Sequence, residues 1–102
     1  MIARLWRGWV ASADREAYGA YIESTGMAEY RRTPGNRGAY MLLRDLGDGR
    51  TEIITLSFWD SREVITGFAG GDIDRAVFYP EDDRYLVDRE VTVTHYEVLD
   101  QP

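Results

Sequence analysis

"GAYMLLRDLGDGRTEIITLSFW", residues 38–59, decides the fold. Two strand-like runs flank Asp48-Gly49, and a two-residue turn there makes them an antiparallel hairpin. In that register Leu43 falls opposite Ile54, Met41 opposite Leu56 and Ala39 opposite Phe58, a wholly apolar face. The other face sets Arg44 by Ile53, Leu42 by Thr55 and Tyr40 by Ser57, with Trp59 at its end. A sheet face in contact with water alternates in polar residues, and neither side of this hairpin does. Both faces are therefore expected to be covered, one by helices and the other by something else.

Working outward, residues 2–10 alternate as a first strand. Ile2, Arg4, Trp6 and Gly8 lie on one side; Ala3, Leu5, Arg7 and Trp9 lie on the other. Ser12 offers an N-cap, with Asp14 and Glu16 suited to the positive end of a helix. Tyr18, Tyr21, Ile22 and Thr25 then form an i, i+3, i+4, i+7 stripe, which Gly26 ends or bends, and Pro34-Gly35 closes the segment. Beyond the hairpin, "DSREVITGF" (60–68) starts a second helix. Asp60 serves as cap and Glu63 as the capping-box partner, with Val64, Ile65 and Phe68 inward. "GGDIDRAVFYPEDDRYL" (70–86) reads as short helical turns, and residues 89–98 as the last strand. The order β-α-β-β-α-β predicts an α+β, ferredoxin-like domain over residues 1–102, with a four-stranded antiparallel sheet and helices on one face only. A second copy packed sheet against sheet would cover the other face, so a homodimer is expected.

Composition narrows the partners. The 102 residues carry a net charge of −6, with acids spread along the chain, which disfavours nucleic acid and anionic membrane. There is no cysteine, which closes disulfide, thiol and zinc–thiolate chemistry and suggests a reducing cytoplasm. "MIARLWRGWVASA" ends like a signal-peptidase site, but Arg4 and Arg7 interrupt its apolar run, so it reads as a strand. No run is long and apolar enough to span a membrane.

"MIARLWRGW" (1–9), "GNRGAY" (35–40), "TLSFWDS" (55–61), "FAGGDIDRAVFYPEDD" (68–83) and "THYEV" (94–98) together resemble the dimeric α+β barrel superfamily. Within it they look most like the antibiotic biosynthesis monooxygenases. The resemblance spans nearly the whole chain. It implies a homodimer with a pocket in each subunit and, in characterised relatives, oxygenation of aromatic polyketides without metal or flavin. Other relatives degrade haem, using an Asn in the first strand, a Trp in the second helix and a His about ten residues further on. Here the matching places hold Phe68 and Phe78, and no Asn lies in residues 1–10. Haem ligation at that place is not expected, and no catalytic trio carries over.

Cofactor-free oxygenation needs a base to ionise a phenolic substrate and a dry aromatic cavity to hold the anion beside oxygen. His95, in "VTVTHYEVL" (91–99), is the only histidine and the one side chain whose ordinary pKa suits a base at neutral pH. Glu97 could orient it; the plainer reading is a strand histidine bonded to a neighbour. Trp6, Tyr40 and Trp59 could line the pocket with Thr55 and Ser57 as polar anchors, or be dimer-interface core. Arg4 could bind a substrate anion or be a paired structural arginine. Tyr79 could gate the mouth or simply pack. "PEDD" (80–83) suits a helix start better than a metal site, which needs six or more oxygens. The expected function is a cofactor-independent monooxygenase or related tailoring enzyme for an aromatic or polyketide-like small molecule, with no cofactor and no metal. The alternative is a non-catalytic homodimer that binds a small ligand.

Overall fold

A computed structural model describes residues 1–99 of the chain. Strand β1 spans Ile2–Ala11, β2 Asn36–Asp45 and β3 Arg50–Trp59. β3 lies between β1 and β2, antiparallel to both, and β4 (Leu86–Arg89) and β5 (Thr94–Glu97) pair in succession along the other edge of β1. This is the ferredoxin-like order, with the last strand in two pieces. Helix α1 (Arg15–Ile22) runs through a π turn at Glu23–Met27 into α2 (Ala28–Arg32), while α3 (Arg62–Ala69) follows β3 and α4 (Asp82–Tyr85) precedes β4. No helix among the described residues is long and apolar enough to cross a membrane.

The hairpin register departs by one residue from the sequence-based expectation. Leu43 faces Ile53, Met41 faces Thr55 and Tyr40 faces Leu56. The connection is longer than two residues: the strands close where the Leu46 amide donates to the Arg50 carbonyl, at 2.9 Å. Gly47 and Gly49 both take positive φ inside that loop, and Asp48 accepts from the Arg50 amide at 3.0 Å. Because side chains alternate, a one-residue slip moves every partner to the opposite face. The side toward the helices therefore carries Ala39, Met41 and Leu43 with Ile53, Thr55, Ser57 and Trp59, and the other side carries Tyr40, Leu42 and Arg44 with Ile54, Leu56 and Phe58.

The first helical segment outlasts Gly26. Its buried side chains continue past Tyr18 and Ile22 to Met27 and Tyr30, so the core rewards continuation, and the π turn absorbs the mismatch in phase. Ser12 does not cap it; its hydroxyl bonds the Thr51 hydroxyl at 2.9 Å. Ser61, not Asp60, caps α3 by accepting from the Val64 amide, while Asp60 pairs with Arg37. Ile65 is fully buried, and Val64 and Phe68 pack on the core as expected. Gly35 turns into β2 at φ 91°, where an added Cβ would lie 2.7 Å from the Cβ of Val64, so only glycine fits.

The expected last strand, 89–98, is broken at residues 90–93. Trp6 Nε1 donates to the Glu90 carbonyl at 2.7 Å. The next residues leave β1 and bond the segment before α4 instead: the Ala76 amide donates to the Val91 carbonyl (3.0 Å) and the Val93 amide to the Asp74 carbonyl (2.8 Å). The backbone groups lost to the sheet are thus satisfied by residues 74–76. The detour carries that segment over the sheet and roofs a cavity.

Candidate functional site

The helix-facing side of the sheet supplies the floor of this cavity with Arg4, Trp6 and Thr55. Tyr18, Ile22 and Tyr30 come from the first helical segment, Phe68 from α3, Phe78 and Tyr79 from the segment leading into α4, and Asp82 from the start of α4. Its volume is about 40 Å3, room for a few water molecules, whereas an apolar cavity of about 150 Å3 takes up benzene. The walls are aromatic and interlocked. Trp6 meets Phe78 edge to face with centroids 6.1 Å apart, and Tyr30 packs on Phe68 at 4.4 Å.

Two polar clusters interrupt this lining. In the first, Arg4 is 1% exposed. Its Nη1 donates to the Ile73 carbonyl and to His95 Nε2 (3.1 Å), and its Nη2 to the Arg75 carbonyl (3.2 Å). Its Nε–H is buried with no acceptor, and no carboxylate among the described residues forms an ion pair with it. Buried charges are ordinarily paired, and one left alone costs roughly several kcal/mol. The guanidinium carbon also sits 5.8 Å from the centroid of the Phe68 ring, a weak partial compensation.

His95 stands behind Arg4, its side chain 2% exposed. A guanidinium only donates, so Nε2 must be the unprotonated nitrogen, and Nδ1 carries the proton toward Asp74 Oδ1 at 3.1 Å. Burial first, then the charge of Arg4, holds the imidazole below its ordinary pKa, against the pull of Asp74. The neutral Nδ1–H tautomer follows from the partners, and the ring's one lone pair is occupied by Arg4. The residue orienting His95 is Asp74; Glu97, two residues on, lies exposed at the sheet edge.

The second cluster centres on Asp82, buried although it stands among three consecutive acids. Its Oδ1 accepts from the Tyr18 hydroxyl (2.9 Å) and its Oδ2 from the Tyr79 amide (2.6 Å). Burial, and then the charge of Asp82, pushes the Tyr18 hydroxyl far above its usual range, so it stays a neutral donor. Burial also drives the Tyr79 hydroxyl up to about 12. Glu81 and Asp83 turn outward to Arg84 and Arg89.

Of the residues singled out by sequence, Arg4, Trp6 and Tyr79 meet at this cavity, with Thr55 beside them. Trp59 and Ser57 lie fully buried beneath the floor, bonded to each other at 2.9 Å. Tyr40 projects from the opposite face, 57% exposed, as the corrected register requires. Tyr18, Phe68, Phe78 and Asp82 were not on the sequence's candidate list. Tyr18 and Phe68 read there as ordinary inward positions, and Asp82 as one of several acids at a helix start. Nothing local marks which acid turns inward.

No family model and no curated protein matches the chain. Solved structures do. An antibiotic biosynthesis monooxygenase-type protein of Bacillus cereus superposes with a TM-score of 0.69 at 14% identity, over 99% of this chain and 93% of that one. A second protein of that type, from Nitrosomonas europaea, gives 0.67 at 15% identity over 98% and 100%. The haem degrader MhuD of Mycobacterium tuberculosis, solved with two haems in its active site, gives 0.60 at 16% identity over 100% of both chains. Over nearly its whole length the chain thus has the ferredoxin-like fold of the antibiotic biosynthesis monooxygenase-like proteins.

Proposed function

We propose that the chain works as a homodimer that oxygenates a small aromatic molecule in this cavity without a cofactor, as a monooxygenase or a related tailoring enzyme. The observation that carries the reading is an aromatic-walled cavity with an unneutralised guanidinium at its floor. Such a site favours the ionised form of a phenol, the form electron-rich enough to reduce oxygen, and its apolar walls keep water from the anion. In the simplest balanced reaction a ring CH2 becomes a carbonyl. One oxygen atom enters the substrate, the other leaves as water with the two hydrogens, and the substrate supplies all four electrons. Arg4 would hold the anion, Trp6 and Tyr79 would flank the ring, and His95 would act as the hydrogen-bond partner that positions Arg4 rather than as the base. The resting volume requires the roof over residues 74–79 to lift for entry.

The experiment is oxygen uptake with anthrone- and quinol-type substrates, wild type against Arg4→Gln and His95→Ala. Uptake above the uncatalysed rate that Arg4→Gln abolishes supports the reading; His95→Ala indistinguishable from wild type removes any role for His95. The small cavity and the engaged imidazole favour a second reading, a non-catalytic homodimer that binds a small ligand. It predicts ligand binding with no uptake. Haem ligation does not suit this site, because both nitrogens of the lone imidazole are engaged, by Arg4 and by Asp74.

A second copy is the proposed cover for the other sheet face. Tyr40, Leu42 and Tyr96 stand there 57%, 46% and 52% exposed, beside half-buried Leu5, Trp9, Leu56 and Phe58. The charges around Arg7 and Arg44 on that face balance, since Glu52 pairs with both Arg7 (3.5 Å) and Arg44 (3.3 Å) and Glu90 pairs with Arg7 (3.9 Å). A face without net charge and rich in rings suits a copy of itself better than a charged partner. The absence of cysteine fits a reducing compartment such as the cytoplasm.

A further inference from the structure

We infer that Arg4 makes one end of the cavity a monoanion site, which takes a planar oxyanion head group, carboxylate or phenolate, on its unpartnered Nε–H. This rests on reading the cavity as a ligand site and adds what that ligand must carry. Of the five N–H groups of Arg4, three have acceptors: two backbone carbonyls and the His95 lone pair. All three acceptors are neutral. The nearest carboxylates are committed elsewhere. Asp74 lies on the far side of the imidazole, itself exposed and bonded to Nδ1, and both oxygens of Asp82 are taken by Tyr18 and the Tyr79 amide.

Arg4 lines the cavity, and its Nε is the one guanidinium nitrogen that is buried with no acceptor, so a head group that reaches the guanidinium finds a donor free to meet it. The free space of about 40 Å3 suits the head group alone; any ring attached to it would take the space beside Trp6, Phe78 and Tyr79 that opens when the roof over residues 74–79 lifts. Asp82, also in the lining, sets the limit on charge. A dianion would meet its carboxylate across a medium of low dielectric, whereas a monoanion meets Arg4 and the neutral Tyr18 hydroxyl. A hydroxyl on the ligand could also donate to Asp82.

The test titrates wild-type protein with benzoate and with its neutral isostere benzamide, and in parallel with 4-nitrophenolate and 4-nitroanisole. Trp fluorescence and the 15N resonance of Arg4 Nε–H are followed. The site predicts that at least one anion binds at least about tenfold more tightly than its neutral partner, a charge-assisted hydrogen bond's worth of preference, and moves the Nε–H resonance. Arg4→Gln should erase the preference, and Arg4→Lys should restore part of it. If the glutamine variant does not fold, the wild-type titration decides alone. Equal affinities, an unmoved Nε–H resonance or no binding by either anion overturns the inference. Equal binding of neutral and anion overturns the inference and removes Arg4 from the function proposed above, which then stands or falls on oxygen uptake alone. Anion binding with no oxygen uptake overturns that function alone. Preference for benzoate over 4-nitrophenolate, or the reverse, says which head group the site reads.

Discussion

The two sides of β1 are built from the same ten residues, yet they solve different problems. The even side, with Arg4, Trp6, Gly8 and Val10, is buried under helices, and most of its polar atoms find partners within the chain. The odd side, with Leu5, Arg7 and Trp9, joins Tyr40, Leu42 and Tyr96 on a face that no element among the described residues covers. One side is a finished core apart from Arg4, whose Nε is buried without an acceptor. The other is an unfinished core with its charges already cancelled. A helix-covered face stabilises the subunit directly; an open one stabilises it only through association. Truncations on the two sides should therefore differ in size and also in their dependence on concentration.

The largest effect is expected from Ile53→Ala. Ile53 is fully buried on the covered side, facing Leu43 on β2 and Gly8 on β1. Removing it leaves a cavity among rigid neighbours, at a cost of about 2–5 kcal/mol. For a domain of this size the melting temperature should fall by about 4–8 °C per kcal/mol. Urea unfolding with an unchanged slope would confirm the loss, and a cost below about 1 kcal/mol would mean the covered side is not the core.

Gly8→Ala comes next, and it separates the floor of the cavity from the rest of the sheet. An added methyl would stand 2.5 Å from Trp6 Cη2 and 3.0 Å from Leu86 Cδ2. The indole must move, releasing its bond to the Glu90 carbonyl and disturbing the break between β4 and β5. Overpacking of this kind costs about 1–3 kcal/mol. A shift in Trp fluorescence together with weakened ligand binding is the expected signature; stability and emission both unchanged would contradict the packing described here.

How much of this was legible beforehand follows from which interactions are local. The strand periods, the apolar stripe from Tyr18 to Ile22, the inward side of α3 and the order of elements are written in short windows of sequence, and they suffice for the ferredoxin-like reading. Register was not legible, because two glycines flank Asp48 and a turn around either spacing is stereochemically open. That one residue moved Tyr40 from the expected pocket to the opposite face. The site was half legible. Arg4, Trp6 and Tyr79 were visible as an inward charge and two amphipathic rings. Asp74, Tyr18 and Asp82 acquire their roles only from contacts spanning 21 to 64 positions, which no local pattern encodes.

A smaller effect is expected from pH, and it belongs to the covered side alone. The His95 ring titrates below its ordinary value in the folded chain, through burial first and Arg4 second, with Arg62 adding and Asp74 opposing. On acidification the unfolded chain takes up the proton first, near pH 6.5, while the native ring still lacks it. The unfolded state then binds more protons, so stability falls as pH falls. The contribution is intact above about pH 6.5 and declines below it until the native ring protonates. Asp48 and Asp60, held below the usual carboxylate range by Arg50 and Arg37, lose their share only at lower pH. Melting temperatures from neutral to mildly acid pH should slope for wild type and lie flatter for His95→Gln. Equal slopes would place the imidazole in water.

The smallest effect on the subunit, and the most telling one, is expected from Leu42. It faces Ile54 on the open side and is 46% exposed, so Leu42→Ala should change the stability of an isolated subunit by no more than about 0.5 kcal/mol. If a second copy covers that face, the same substitution buried at a dimer interface must cost more, and the excess must vanish on dilution below the dissociation constant. Leu42→Asp carries the argument to its limit. A carboxylate there is harmless in water but unpaired in an interface, because Glu52 already holds Arg7 and Arg44. Sedimentation should then find dimeric wild type and monomeric Leu42→Asp, with folded spectra for both. A wild type that sediments as a monomer at micromolar concentration would leave the ring-rich face open to water, and the contrast between the two sides of β1 would then need another cause.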